Sequence, residues 1–451
     1  MKHKCSFLLA LLAMVSMIGL GTVSAFAYET WGVNMDSSWQ YANFTKINSG
    51  MAVVYFTNVS PKKNLTVCVN AGHGTQGGTA VKVLCHPDGS PKIVSGSTSA
   101  GSTTATAVAY GTLMLDGTPE ATATLRAAIA LKNELLSRGY DVLMIREGDD
   151  IQLDNIARTV VANNIADCHI SLHYDSTTTN KGVFYCSVPN VASYRAMEPV
   201  ASHWKDHHYL GDCLITGMKN KGMKISGTGA VAMDLTQTSF STIPSVDLEI
   251  GDRATDYSSA TLSTTAKGIV DGLDIFCKSF LDVPSSAYYY TPVQWAVGQK
   301  ITSGYSAIRF GPDVSCSRAQ MVTFLWRAAG SPAATSTVNP FKDVPAGSFY
   351  YQAVLWAVQN GITAGTSDST FSPDEIVNRG QVATFLWRAA GSETVVGTQN
   401  PFTDVQPEEY YYQAVLWAVN KKITQGTTTT TFSPAEPCTR AQAVTFLYRS
   451  R

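Results

Sequence analysis

The chain contains no HExxH, no GxSxG and no Walker-type glycine loop. Those absences remove the common metalloprotease, serine-hydrolase and nucleotide readings. It has almost no net charge: 33 Lys plus Arg against 34 Asp plus Glu leave a formal −1. Without a broad basic surface, nucleic acid is excluded as the partner. There is no CxxC pair, and of nine cysteines one, Cys5, lies in the amino-terminal apolar segment. The other eight show no dense disulfide framework, and their spacing does not say whether any pair up. Beyond residue 27 no apolar run is long enough to cross a bilayer. The one apolar run, Phe7 to Leu20, follows Lys2 and Lys4 and precedes Ala25-Phe26-Ala27. That order predicts a signal peptide, 1–27, cut after Ala27, and a protein outside the cytoplasm.

At 451 residues the chain exceeds one ordinary core, so two or three domains are expected. Leu65-Thr-Val-Cys-Val-Asn-Ala-Gly-His73-Gly reads as a buried strand that breaks where glycines flank a histidine. A histidine at the carboxyl edge of an α/β sheet is a candidate metal ligand or base. Taken alone, a histidine capping a turn would be the plainer reading.

Three later stretches match it. Thr118-Pro119-Glu120 precedes apolar positions Leu125, Ala128, Ile129, Leu135 and Leu136 that stop at Gly139. This predicts a helix capped by Thr118, with Pro119 in the first turn and Glu120 kept ionised at the amino end. Ala166 to His173 reads as a strand ending in a second histidine, and Val246 to Gly251 as a short strand presenting Glu249. Two histidines and a glutamate at element ends make a zinc set with one position open for water, and the remaining glutamate can act as base. His169 shares a strand face with His173 but lies roughly 13 Å away, too far for the same ion. Asp247, on the face of Glu249, is expected to be a supporting group. His203, His207 and His208 are expected to be solvated, and His86 to sit in a lid.

The order AGHG, a glutamate ahead of a helix ending LLSRGYDV, SLHYDS and VDLEIG resembles the zinc-dependent N-acetylmuramoyl-L-alanine amidases. The resemblance covers roughly 65–280. It implies that the zinc ligands are His73, Glu120 and His173 and that the catalytic residue is Glu249. It also implies a peptidoglycan substrate cut between muramic acid and L-alanine. The chain departs from the family in Asp175, where asparagine is usual, and in a Ser/Thr/Gly/Ala-rich insertion at about 76–117, expected to be a flexible or loosely β-structured lid. Strand and helix alternate from 65 to about 278, which predicts an α/β domain with a mixed, mostly parallel sheet covered by helices on both faces. Residues 28–64 are expected to be a lead-in with one strand, Met51 to Thr57.

From Phe280 onward the chain repeats. Phe280-Leu-Asp282-Val recurs at Phe341 and Phe402, a step of 61 both times (341 minus 280, 402 minus 341). Trp295, Trp356 and Trp417 keep that step, as do Arg318, Arg379 and Arg440. A fixed period of this kind marks a repeat array whose neighbours bury each other. Ser317, Asn378 and Thr439 are expected N-caps, with Gln320, Gln381 and Gln442 as capping-box partners. Each arginine then opposes the helix dipole, which an anionic ligand held by guanidinium and free backbone N–H groups would offset. The tryptophans lie on an apolar helical stripe and are expected in the core.

With Ser-Arg-Ala-Gln, Asn-Arg-Gly-Gln and Thr-Arg-Ala-Gln at those starts, the units resemble S-layer homology repeats. The resemblance implies an all-α three-repeat bundle, 280–339, 340–400 and 401–451, binding an acidic secondary cell-wall polysaccharide through Arg318, Arg379 and Arg440. The expected whole, with 65–279 as catalytic domain, is a secreted zinc amidase bound to a bacterial cell wall. A zinc peptidase acting on the stem peptide, and a wall-binding scaffold without catalysis, are the alternatives.

Overall fold

The computed structural model describes residues 28–306, 308–335, 338–395, 397 and 399–451; the expected signal peptide lies outside them. The described residues divide into two compact units, 28–278 and 279–451.

In the first unit the strands and helices follow in order as β1 (Glu29–Asn34), β2 (Met51–Phe56), β3 (Thr66–Ala71), β4 (Lys82–Leu84), β5 (Thr104–Thr106), α1 (Glu120–Ser137), β6 (Asp141–Met144), α2 (Asn155–Ile165), β7 (Cys168–Asp175), β8 (Val183–Ser187), α3 (Ala192–Ala196), α4 (Val200–Asn220), β9 (Ile225–Ala232), α5 (Thr236–Phe240), β10 (Ser245–Asp252) and α6 (Ser259–Phe276). Eight strands form one sheet in the order β1-β2-β6-β3-β7-β10-β8-β9. Its centre, β6-β3-β7-β10, is parallel throughout, whereas β1/β2, β2/β6 and β8/β10 pair antiparallel. Parallel strands need crossovers. Here α1 leads from β3 to β6 and packs with α6, while α2 leads from β6 to β7 and packs with α5. Cys68, Leu143, Ala157 and Val161 share the core under α2.

The lead-in proves to be an antiparallel hairpin, because Glu29–Asn34 adds a second strand to the expected one. Glu29 to Gly32 are exposed, so their apolar content gave no strand signal. Helix α1 begins at Glu120 with Pro119 at the cap position and no side-chain cap. Thr118 instead turns its hydroxyl to Tyr257, at 2.9 Å. The insertion is built around a two-stranded sheet, β4 with β5, and a buried polar knot. His86 is fully buried, with Nδ1 2.9 Å from Ser90 Oγ and Nε2 3.2 Å from Asp234 Oδ2. That Asp234 also accepts the Val94 N–H at 2.9 Å. His86 is therefore a fastener of the insertion rather than a lid contact. His207 is 2 % exposed, not solvated, and its Nδ1 accepts the Ser245 N–H at 3.0 Å.

The second unit contains α7 (Tyr290–Gly298), α8 (Arg318–Ala328), α9 (Tyr351–Gln359), α10 (Arg379–Ala389), α11 (Tyr412–Asn420) and α12 (Arg440–Arg449), two helices per repeat. The three capping boxes are present at Ser317/Gln320, Asn378/Gln381 and Thr439/Gln442. The repeated Phe-x-Asp motif has a mechanical use. Asp282 accepts the N–H groups of Phe310 and Gly311, Asp343 those of Phe371 and Ser372, and Asp404 those of Phe432 and Ser433. Each carboxylate thereby clamps the loop ahead of its repeat's second helix. Trp417 is buried, and Trp295 and Trp356 pack partly buried against the same core.

Candidate active site

Where β3 ends, Gly72 carries the backbone under the His173 ring, and a Cβ there would lie 2.3–2.6 Å from ring atoms. His73 takes φ 63, a left-handed conformation that strains any residue but glycine. Two buried arginines hold this turn in place. Arg158 donates to the carbonyls of His73 (2.6 Å) and Ala71 (3.1 Å), and Arg146 to those of Gly72 (3.0 Å) and Ala121 (2.7 Å). Burial lowers their pKa values to about 9 for Arg158 and about 10 for Arg146. Sequence reasoning missed both. The one signal was a lone arginine inside or ending an otherwise apolar element, a pattern a snorkelling surface residue shares.

His73 Nδ1 lies 2.8 Å from the Ala109 carbonyl. A carbonyl only accepts, so Nδ1 donates, and in the neutral ring the lone pair then lies on Nε2. Glu120 is fixed at both oxygens: Oε2 accepts the Thr112 N–H at 2.8 Å and Oε1 the Tyr174 N–H at 3.0 Å. His73 Nε2 then sits 2.8 Å from Glu120 Oε1, and His173 Nδ1 sits 3.1 Å from His73 Nε2 and 3.2 Å from Glu120 Oε1. Three donor atoms from three separate elements converge on one point.

The surrounding charge explains their titration. Burial alone would raise Glu120, but His173 and His73 outweigh it and hold the carboxyl well below the usual range. Burial would lower His173, yet Asp247, Glu120 and Glu249 together hold it up at about 10. Two imidazole nitrogens and a carboxylate oxygen, mutually facing and with one tautomer fixed from outside, fit zinc.

Glu249 is the direct partner of His173 across the parallel β10/β7 pairing. Asp247 lies two residues earlier on the same face, with Oδ2 3.6 Å from His173 Nε2. Asp247 Oδ1 and Glu249 Oε2 are buried atoms without a hydrogen-bond partner. Burial first, and the Asp247 charge second, push Glu249 well above the usual carboxylate range. The whole group lines a cleft of about 620 Å³, with Thr98, Ala109 and Tyr110 of the insertion forming part of its wall. His169 is fully buried elsewhere on β7, with neither ring nitrogen hydrogen-bonded.

Arg318, Arg379 and Arg440 of the second unit are also buried, each 3–4 % exposed. Arg318 Nε donates to the Phe371 carbonyl, Arg379 Nε to that of Phe432 and Arg440 Nε to that of Phe310, at 2.8, 2.8 and 3.0 Å. The three contacts run from repeat 1 to 2, 2 to 3 and 3 to 1. The expected free N–H groups at the helix starts are absent. Arg318 N–H goes to Glu375 O, Ala319 N–H to Pro373 O and Gln320 N–H to the Ser317 hydroxyl, and the other starts are spent alike. What stays unpaired is Nη2 of each arginine.

Comparison with known proteins bears on both units. Residues 67–272 match the family model described as N-acetylmuramoyl-L-alanine amidase, and residues 279–322, 340–383 and 401–444 match that of the S-layer homology domain. Among curated relatives, a cell surface protein of Thermoanaerobacter kivui is 32% identical over 25% of this chain and 15% of its own length. A surface-layer 125 kDa protein of Lysinibacillus sphaericus is 31% identical over 34% of this chain and 13% of its own. The chain therefore spans less than a fifth of the length of these relatives. Among solved structures, the N-acetylmuramyl-L-alanine amidase Ami1 from Mycobacterium smegmatis is 19% identical, with 48% of this chain and 97% of that one covered and a TM-score of 0.39. The amidase AmiC2 of Nostoc punctiforme is 14% identical, with 48% and 98% covered and a TM-score of 0.34. The chain joins a domain of the N-acetylmuramoyl-L-alanine amidase family, 67–272, to three S-layer homology domains.

Proposed function

We propose that this protein is a zinc-dependent peptidoglycan hydrolase that cuts the amide between the lactyl group of N-acetylmuramic acid and L-alanine. The observation that carries the reading is the convergence of His73 Nε2, Glu120 Oε1 and His173 Nδ1 beside Glu249 in one cleft. A zinc ion held by those three residues would supply Lewis acidity toward the scissile carbonyl and toward water. Glu249, whose burial strengthens its hold on a proton, accepts the proton of the attacking water and returns it to the leaving amine of alanine. Asp247 faces the second nitrogen of His173 and favours a proton there, which leaves Nδ1 to the cation. Thr112 and Tyr174 hold Glu120 in place through their backbone N–H groups. Digesting purified walls and identifying the new amino terminus by mass spectrometry tests the reading. Alanine supports the amidase; an internal residue of the stem peptide makes the protein a peptidase and overturns it.

The repeats are the wall-binding part of the same proposal. Their family, and the surface proteins among the relatives, favour attachment to the cell surface of a bacterium after secretion. Among the described residues no helix is long and apolar enough to cross a membrane. The ligand is an acidic secondary wall polysaccharide, and the unpaired Nη2 of Arg318, Arg379 and Arg440 is the donor left over for its anionic group. Such tethering raises the local concentration of enzyme on its substrate.

A further inference from the structure

Six of the eight cysteines among the described residues belong to the first unit; the second holds Cys316 and Cys438. These two occupy one position of the repeat, since 377 minus 316 and 438 minus 377 are both 61, with Val377 in the middle repeat. The three residues close a ring of backbone hydrogen bonds. Cys316 N–H donates to Cys438 O, Cys438 N–H to Val377 O and Val377 N–H to Cys316 O, each at 2.9 Å. All three side chains are fully buried in the same core.

Ser315 pairs antiparallel with Thr439, which makes the next residue inward on each side, Cys316 and Cys438, direct opposites. The bond from Cys316 N–H to Cys438 O, at 2.9 Å, keeps their two Cα atoms within roughly 7 Å, the outer bound of the separation that a disulfide spans. As thiols the two sulfurs have only poor partners, the carbonyls of Ser317 at 3.6 Å and Thr439 at 3.7 Å.

Their location in the array is informative. Repeats 1 and 2, and repeats 2 and 3, are consecutive in the chain. The seam between 3 and 1 is not, and its two cysteines are 122 residues apart (438 minus 316). Closing that seam costs the most chain entropy, and a cross-link there removes that entropy from the unfolded state. The cysteine pair crosses this seam, which also carries the Arg440 to Phe310 contact.

We propose that Cys316 and Cys438 form a disulfide that locks the third repeat onto the first. The Sγ–Sγ bond forms as two S–H bonds break, two protons pass to water, and two electrons reduce the disulfide of an external oxidant, a protein dithiol couple or a small disulfide, to thiols. Burial pushes both thiols up to about 12 in the closed bundle, so the exchange belongs to folding rather than to the finished protein.

The test is to denature and reduce the full chain, refold it with a glutathione redox couple, alkylate it under denaturing conditions, digest it and map the peptides. The expected result is a peptide pair joining Cys316 to Cys438, two hydrogen masses lighter than its separate members. The oxidised chain is also expected to melt roughly 5–15 °C above the reduced one at the carboxyl-terminal transition. Cys438→Val, which copies Val377 and keeps the core filled, is expected to abolish that difference. Full alkylation of both residues, pairing of either with another cysteine or with glutathione, or a melt that reduction leaves unchanged would overturn the proposal.

Discussion

In the first unit the buried charged groups that matter face one another: His73, Glu120 and His173 aim their donors at a shared point, and Asp247 and Glu249 each keep an oxygen without a partner. In the second unit the buried charges face the scaffold. Arg318 bonds one carbonyl and lies 4.9 Å from the Phe371 ring and 5.5 Å from that of Phe385; Arg379 stands likewise toward Phe432 and Phe446, and Arg440 toward Phe310 and Phe324. The difference teaches how to weigh a buried charge. One that is met by carbonyls and rings is holding packing together; a set that is met chiefly by its own members is prepared for something from outside. The arginines are mostly of the first kind, and only Nη2 belongs to the second.

The sharpest attempt to break this contrast is Glu249→Gln. It is expected to lower wall hydrolysis by roughly 10²–10⁴-fold while zinc stays at wild-type stoichiometry, since the role proposed for this residue is to move protons and not to hold the ion. Loss of the metal in that variant would move Glu249 into the ligand set. Next, His73→Ala or His173→Ala should empty the zinc site as well as abolish hydrolysis, as measured by metal analysis after dialysis. Chelating the wild type should stop hydrolysis and leave binding to purified walls intact. A chelator that also released the protein from walls would end the division of labour between the units.

A smaller effect is expected at the seams. Arg379→Ala leaves the Phe432 carbonyl without its donor in a buried place, at a cost of about 1–3 kcal/mol, read as a lower melting point of the carboxyl-terminal transition. An unchanged melt would mean that the guanidinium does nothing for the packing of the seam and serves the wall ligand alone, which would blur the comparison.

The last effect concerns acid. Burial lowers His169 and His207 from 6.5 to about 3. Between those values the unfolded chain binds more protons than the folded one, so stability is full above pH 6.5 and falls as pH drops toward 3. His169→Leu should leave stability at pH 7 within about 1 kcal/mol and flatten the fall between pH 7 and 4.5 in a pH series of melts. An equally steep fall would mean that His169 is protonated in the fold.

Some of this was legible in the chain because it depends on neighbours in sequence. The run of β-branched residues before His73, the helical spacing after Glu120 and the 61-residue step each report a local preference or a repeated unit. The capping boxes formed as read, since an N-cap and its partner three residues on need only one helical turn. Thr118 failed as a cap because Tyr257, far away in sequence, offered its hydroxyl another partner.

Sequence by itself therefore determined the element types, the repeat period and which residues carry suitable donor atoms. Tertiary structure alone decided which donors meet. Arg146 and Arg158 pin the turn of His73, the insertion is fastened by His86 and Asp234, and each repeat spends the first N–H groups of its second helix on the next repeat's loop. The physical reason is range. Propensity and periodicity act within a few residues, whereas a buried polar group is satisfied by whatever the fold brings within about 3 Å of it.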